Sequence, residues 1–313
     1  MSDSAIHSAA GALGGIVAMT ATYPLIFLST RAAVETKNEN KSTKQAIVDI
    51  ISREGFLGLY DGLKSSLLGI AVTNGVYYYF YERTKAGIVT SRPGSKGLST
   101  LESIIAGLIA GSATTIISNP IWVIQTSQAV QSMTPAPSSD NLFEKPAKPI
   151  TVRKRGFIET IQYILQTGGI EAFWRGIGPA LVLVVNPVLQ YTVFEQLKNA
   201  LVRRRKARGS AGALTDLDFF ILGALSKLVA TGTTYPYIVV KSRLQAGHEH
   251  AKRYKSALHG LQTIIAEEGV QGVYKGIGNK LIQSVLTAAI LFAGQRRIFE
   301  MTKAALAPVV SKA

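Results

Sequence analysis

Hydrophobic positions in this chain gather into six long runs, about 8–31, 64–86, 102–127, 177–198, 215–241 and 277–299, parted by polar stretches. Each run is long enough for a helix that crosses a bilayer, which takes about 20 residues at 1.5 Å each. None is uniformly apolar: all hold Gly, Ser, Thr or Asn, and several hold Lys or Glu. Lipid-facing helices do not need such residues, but helices packed around a water-filled cavity do. Three shorter stretches, 46–51, 157–164 and 258–265, carry apolar residues at helical spacing. They are too short to span and are expected to lie along a membrane surface. The pattern predicts an all-α membrane protein with six transmembrane helices and three short surface helices.

The runs are three copies of one plan. Thr22-Tyr-Pro-Leu-Ile-Phe-Leu-Ser-Thr-Arg31, Ser118-Asn-Pro-Ile-Trp-Val-Ile-Gln-Thr-Ser-Gln128 and Thr234-Tyr-Pro-Tyr-Ile-Val-Val-Lys-Ser-Arg-Leu-Gln245 each set a proline inside an apolar run. Pro24, Pro120 and Pro236 stand 96 and 116 residues apart, so each repeat is a multi-element unit. A short solenoid repeat would have a period of roughly 20–50 residues. Each proline removes a helical hydrogen bond, and a kink is expected there. The surface stretches end in related phrases, Glu54-Gly-Phe-Leu-Gly-Leu-Tyr-Asp-Gly62, Gly168-Gly-Ile-Glu-Ala-Phe-Trp-Arg-Gly176 and Glu268-Gly-Val-Gln-Gly-Val-Tyr-Lys-Gly276. Glycine closes a helix there, and the aromatic sits where an interfacial ring belongs. The repeats are read as 1–98, 99–210 and 211–313. The stretch 129–155 is expected to be a disordered insertion, and 199–214 a second polar linker.

Thirteen and nine residues before the prolines stand Gly11 and Gly15, then Gly107 and Gly111, then Gly223 and Lys227. The glycines read as helix packing. A lysine inside a spanning run marks a functional position by default; the alternative is a side chain snorkelling to an interface.

Composition narrows the class. With 47% hydrophobic and only 17% charged residues, the 313-residue chain fits a membrane protein. It has no Cys, and its four His form no His-Glu-x-x-His pattern, so neither a metal nor a cofactor is expected. No nucleophile–base spacing and no Walker loop points to an enzyme. The net charge of +15 lies between the apolar runs, as in Arg203-Arg-Arg-Lys-Ala-Arg208. That placement suits solute phosphates or anionic lipid headgroups better than nucleic acid.

Three repeats, each a proline-bearing helix, a surface helix and a second spanning helix, resemble the mitochondrial carrier family across about residues 8–303. The family motif places an acid two residues after proline, then bases at five and seven and a glutamine at nine. The third repeat matches through Pro236, Lys241, Arg243 and Gln245. Phrases such as Leu59-Tyr-Asp-Gly-Leu-Lys-Ser-Ser-Leu-Leu-Gly69 and Gly75-Val-Tyr-Tyr-Tyr-Phe-Tyr-Glu82 resemble the family's peroxisomal branch, which carries adenine nucleotides and NAD. The resemblance implies solute exchange by alternating access, with one central site between two gates.

In the family, acid and base of the proline motif pair between neighbouring helices and close one side. Here the acidic positions hold Ile26, Trp122 and Ile238, and the basic ones Ser29, Gln125 and Lys241, so these six form no ion pair. Apolar packing of Ile26, Trp122 and Ile238, with Gln125 donating a hydrogen bond, is the expected replacement. At the other gate, Glu82 with Lys85 and Glu195 with Lys198 match the family's acid–base pattern; the third copy, near Gln295 and Ile298, is degenerate.

The family's substrate heights fall on Gly69, Val182 with Leu183, and Gln283. Gly69 admits a flat ring or merely packs helices, Val182 and Leu183 offer an apolar wall, and Gln283 both donates and accepts. Asn74, Tyr77, Asn186 and Gln190 are further candidates. Lys227 is the chosen phosphate partner, and Lys64, Lys241, Lys280 and Arg243 would form a basic funnel. The expected function is exchange of ATP for AMP or ADP across the peroxisomal membrane by a monomer embedded in lipid. The alternatives are NAD or CoA as solute, the mitochondrial inner membrane as location, and a membrane receptor as function. A peroxisomal import factor is the partner expected at 203–208.

Overall fold

The computed structural model describes residues 3–35, 43–91, 97–131, 154–208, 213–247, 254 and 256–290. The former insertion, apart from its ends, and the third gate copy lie outside them. The described chain is helical and falls into the expected three units. In the first, α1 (Asp3–Val34) leads to the surface helix α2 (Thr43–Glu54), a 3-10 turn (Phe56–Tyr60) and α3 (Leu63–Thr90). In the second, α4 (Thr100–Val130) precedes α5 (Phe157–Gly168), a 3-10 turn (Ile170–Trp174), α6 (Ile177–Val182) and α7 (Asn186–Ala207). In the third, α8 (Asp216–Ala246) precedes α9 (Ala257–Gly272) and α10 (277–290). Gly14–Val34, Thr100–Val130, Ile170–Ala207 and Asp216–Ala246 are long and apolar enough to cross a membrane. The 28 residues of α3 match these in length, but Lys64, Glu82, Arg83 and Lys85 lower its hydropathy.

Local chemistry sets the boundaries. Ser99 and Thr215 open α4 and α8 with capping boxes to Glu102 and Asp218. Gly55, Gly169 and Gly269 end the helical part of each surface helix at φ of 75°, 65° and 71°. Pro24, Pro120 and Pro236 lie inside continuous helices. Pro187, at the first turn of α7, follows a 3-10 turn over Leu183–Val185 that interrupts the fourth spanning run.

The reading of 199–214 as a linker needs correction. α7 runs on to Ala207, so Arg203–Lys206 are helical. Arginine and lysine are good helix formers, and their charge complements the negative end of the helix dipole. Arg205 also bonds the Ala213 carbonyl at 2.6 Å and pairs with Asp218 at 2.7 Å, tying α7 to the start of α8.

The repeats meet at one end in a cyclic pattern. Gly62, Gly176 and Gly276 open α3, α6 and α10 at φ of 84°, 73° and 81°. A Cβ on each would lie 3.2, 3.0 and 2.7 Å from the carbonyl oxygens of Gln125, Lys241 and Ser29, each in the next repeat. The residue before each proline reaches back to the same turn of its own repeat. Tyr23 donates to the Asp61 carbonyl at 2.7 Å, Asn119 to that of Arg175 at 3.2 Å, and Tyr235 to that of Lys275 at 2.9 Å. Gly62→Ala meets both a left-handed backbone and the Tyr23 hydroxyl at 2.9 Å. It is expected to destabilise the fold by about 1–3 kcal/mol, read as a lowered Tm in detergent.

Candidate functional site

Above the closed end lies a cavity of about 710 Å³ between α3, α4 and the α6–α7 segment. It runs from Leu98 and Thr100, at the start of α4, down to Asn119, Trp122 and Lys241. Helical periodicity turns Gly107, Gly111, Thr114 and Ser118 of α4 to one face, and all four line it. Tyr77 and Thr73 flank them on α3, and Leu183, Pro187 and Tyr191 on the other side. The 3-10 turn at Leu183 borders this space, where irregular backbone at membrane depth is tolerated.

Several candidates meet here and several do not. Tyr77 lines the cavity and stacks on Tyr81, with ring centroids 5.9 Å apart, as their spacing of four requires. Leu183 also lines it, whereas exposed Val182 and half-buried Gln190 lie outside its lining. Asn186 donates to the Ala230 carbonyl at 3.1 Å and to Thr234 at 2.7 Å, so its amide fastens α7 to α8. Gly69 is buried, and the flat ring against it is Trp122: a Cβ there would touch the indole at 3.3 Å. Trp122 in turn donates to Thr73 at 3.2 Å. Gln283 donates to Thr287 at 2.9 Å, and Thr287 meets Thr22 at 3.1 Å. The Gln283 carbonyl oxygen is buried with no hydrogen-bond partner among the described residues.

Lys227 and Lys241 lie fourteen residues apart on α8, two heptads along one face and about 21 Å by helical rise. Lys280 of α10 is within electrostatic reach of both. Among the described residues none of the three has a carboxylate partner. Arg243 does not join them, contrary to the funnel reading. Its guanidinium is buried in a two-pronged pair with Glu268, at 2.5 and 2.9 Å, and it donates to the Ala33 carbonyl of α1 at 3.0 Å. Lys64 is exposed at the start of α3.

The closed end is built differently from the expected apolar plug. Ile26 packs with Tyr23, Phe27 and Leu59, and Ile238 with Tyr235 and Val239, in separate clusters. Trp122 is taken up by Gly69. Uncharged polar side chains bridge the repeats instead. Gln125 donates to Tyr23 at 3.5 Å, Thr126 to Gln245 at 3.2 Å, and Gln245 to Asn119 at 3.2 Å. Ser65 donates to Gln128 at 2.5 Å, and Ser29 meets Tyr235 at 3.3 Å. The apolar character of positions 26, 122 and 238 and the donor at Gln125 were visible in the sequence. The roles of Thr126 and Gln245 depend on which helices face each other, and the proline periodicity alone pointed to that region. At the far end, Lys85 pairs with Glu82 at 3.3 Å and Lys198 with Glu195 at 2.6 Å, each within its own helix.

Burial alone would raise the Glu268 carboxyl, but hydrogen bonds from Arg243 and Lys275 hold it below its ordinary value. A carboxylate depressed in the folded state contributes stability above its unfolded pKa of about 4.3, and loses it as pH falls through the lower folded value. Glu268→Gln leaves the buried Arg243 charge uncompensated. It is expected to cost about 3–5 kcal/mol near neutral pH, with the Tm difference from the parent shrinking below about pH 4.

A family model described as mitochondrial carrier protein matches residues 2–92, 96–205 and 214–307. A relative named peroxisomal nicotinamide adenine dinucleotide carrier, from Arabidopsis thaliana, is 36% identical over 99% of this chain and 100% of its own length. Peroxisomal membrane protein PMP34 of Mus musculus is 32% identical over 93% of this chain and 91% of its own. Peroxisomal adenine nucleotide carrier 1 of Glycine max is 26% identical over 96% and 92%.

Proposed function

The chain belongs to the mitochondrial carrier family, and we propose that it exchanges adenine nucleotides, ATP against AMP or ADP, by alternating access. It is a multi-pass protein of the peroxisomal membrane, the organelle for which several of its relatives are named. The carrying observation is the polarity of the cavity. Lys241 of α8 lines the cavity, with Lys280 of α10 in electrostatic reach of it and of Lys227, all three without carboxylate partners among the described residues; Tyr77, Tyr191 and Trp122 line it from α3, α7 and α4. A solute with phosphates at one end and a flat base at the other satisfies both walls. No protein anion neutralises the lysines among the described residues, so the solute supplies the counter-charge.

NAD is the second reading, favoured by the similarity over almost the whole chain to a carrier named for it. CoA shares the adenosine-phosphate unit and stands beside it. The receptor reading has no support in a family of transporters. Membrane lipid and the solute are the partners, with the protein acting as a monomer. A peroxisomal import factor would meet the helical Arg203–Lys206 cluster at the end of α7.

Proteoliposomes loaded with ATP, AMP, NAD, CoA or nothing, and assayed for uptake of labelled ATP, separate these readings. Uptake that requires internal ATP, ADP or AMP supports the first. Lys227→Ala is expected to reduce it about tenfold or more, the loss of one charge-assisted contact. Uptake driven better by NAD or CoA moves the assignment to the second reading, and no exchange with any of them overturns both.

A further inference from the structure

The three repeats differ in charge at one position of the closed end. The residue before the left-handed glycine is Asp61 in repeat one, Arg175 in repeat two and Lys275 in repeat three. In repeat three, Lys275 completes a cation pair around the surface-helix acid. Glu268 receives Arg243 and, at 2.7 Å, the Lys275 ammonium. In repeat one, Glu54 receives Arg31 at 2.9 Å, but the aspartate at position 61 cannot supply the second cation. Two carboxylates instead face each other across the turn. Burial pushes the Asp61 carboxyl up and Glu54 adds to the shift, while Lys154 and, more weakly, Arg31 oppose it.

The missing cation comes from the second repeat. Lys154 lies 2.7 Å from Asp61 and 3.2 Å from Glu54, and its side chain is 30% exposed. Its backbone belongs firmly to repeat two. The neighbouring Arg155 N–H donates to the Gln131 side chain just past α4 at 2.9 Å. The Arg155 guanidinium lies 3.6 Å over the Tyr163 ring of α5. The charge of Lys154 therefore sits on repeat one and its anchor on repeat two. It spans the same junction as the Gln125–Tyr23 bond and as the 2.8 Å bond from Arg31 to the Ala129 carbonyl.

We propose that Lys154 is a positioning residue for transport, a latch that holds repeats one and two together while this end is closed. It takes the place that Lys275 fills within repeat three. The α1–α4 junction cannot part until Lys154 leaves Asp61 and Glu54, so the latch biases the carrier toward the state closed here.

The test uses solvent access at the closed end, which needs no solute. The chain has no cysteine, so Ala129→Cys, at a position with 0% exposure, gives a single reporter for a membrane-impermeant maleimide. Lys154→Glu places a third carboxylate beside Glu54 and Asp61. Labelling is expected to quicken about tenfold, within the range of coupling between contacting residues. The swap Lys154→Glu with Asp61→Lys restores a cation between carboxylates and is expected to return labelling to within about twofold of the parent. Unchanged labelling in Lys154→Glu overturns the latch, and so does a swap that fails to restore it. A second arm places cysteines at 61 and 154 and joins them with a short bis-methanethiosulfonate reagent. Reductant-reversible loss of labelled-ATP homoexchange is expected, and full exchange in the joined protein overturns the proposal. Absent exchange before joining counts against adenine-nucleotide transport and leaves the labelling arm to decide the latch.

Discussion

The close approach of Gly62, Gly176 and Gly276 to the carbonyls of Gln125, Lys241 and Ser29 is the constraint on which the rest depends. Only a residue without Cβ combines that backbone conformation with that proximity. The contact turns three similar units into a closed cycle, because each glycine meets the following repeat. Tyr23, Asn119 and Tyr235 fix the same turns from within their own repeats. Arg31 and Arg243 then clamp the surface-helix acids Glu54 and Glu268. Repeat two has Gly168 in the acid's place and Ser127 in the arginine's, so it lacks that clamp.

Closing this end shapes the space above it. With α1, α4 and α8 drawn together below, α4 turns a face of small residues to the cavity between α3 and α7. Because the repeats are not identical, the walls differ. Lys241 of α8 stands on one side, and aromatic rings stand on α3, α4 and α7. An asymmetric solute can be held in a nearly threefold frame only through such differences. The Trp122 ring, held between Gly69 and Thr73, lies at the floor.

The closure itself is made of many modest bonds. Uncharged hydrogen bonds contribute about 0.5–1.5 kcal/mol each after the loss of water is counted. A carrier must open and shut the same end in every cycle, and a set of weak bonds is released more readily than a ring of buried ion pairs. Arg31, Arg243 and Lys275 hold surface-helix acids within their own repeats, and at the far end Arg205 ties α7 to Asp218 at the start of α8. Lys154 crosses between repeats at the closed end, where Asp61 has inverted the expected charge.

The sequence by itself determined the six apolar runs, the triple plan, the helix-closing glycines and the lack of acids at positions 26, 122 and 238. These are local or periodic properties, carried by residue type and spacing. It also determined that Tyr77 and Tyr81 share a face, since helix geometry alone requires it. Tertiary structure decided the rest. Arg243 looked like a cavity cation until its partner Glu268, 25 residues away, was brought against it. Asn186 looked free until α8 supplied two acceptors. Gly69 was open to a solute ring or to packing, and only the approach of α4 put an indole there. The 199–214 stretch was polar enough for a linker, yet its first nine residues continue α7. The ion pair of Lys154 with Asp61 joins residues 93 apart with no shared periodicity. Such contacts depend on which helices become neighbours, and a one-dimensional pattern does not carry that information.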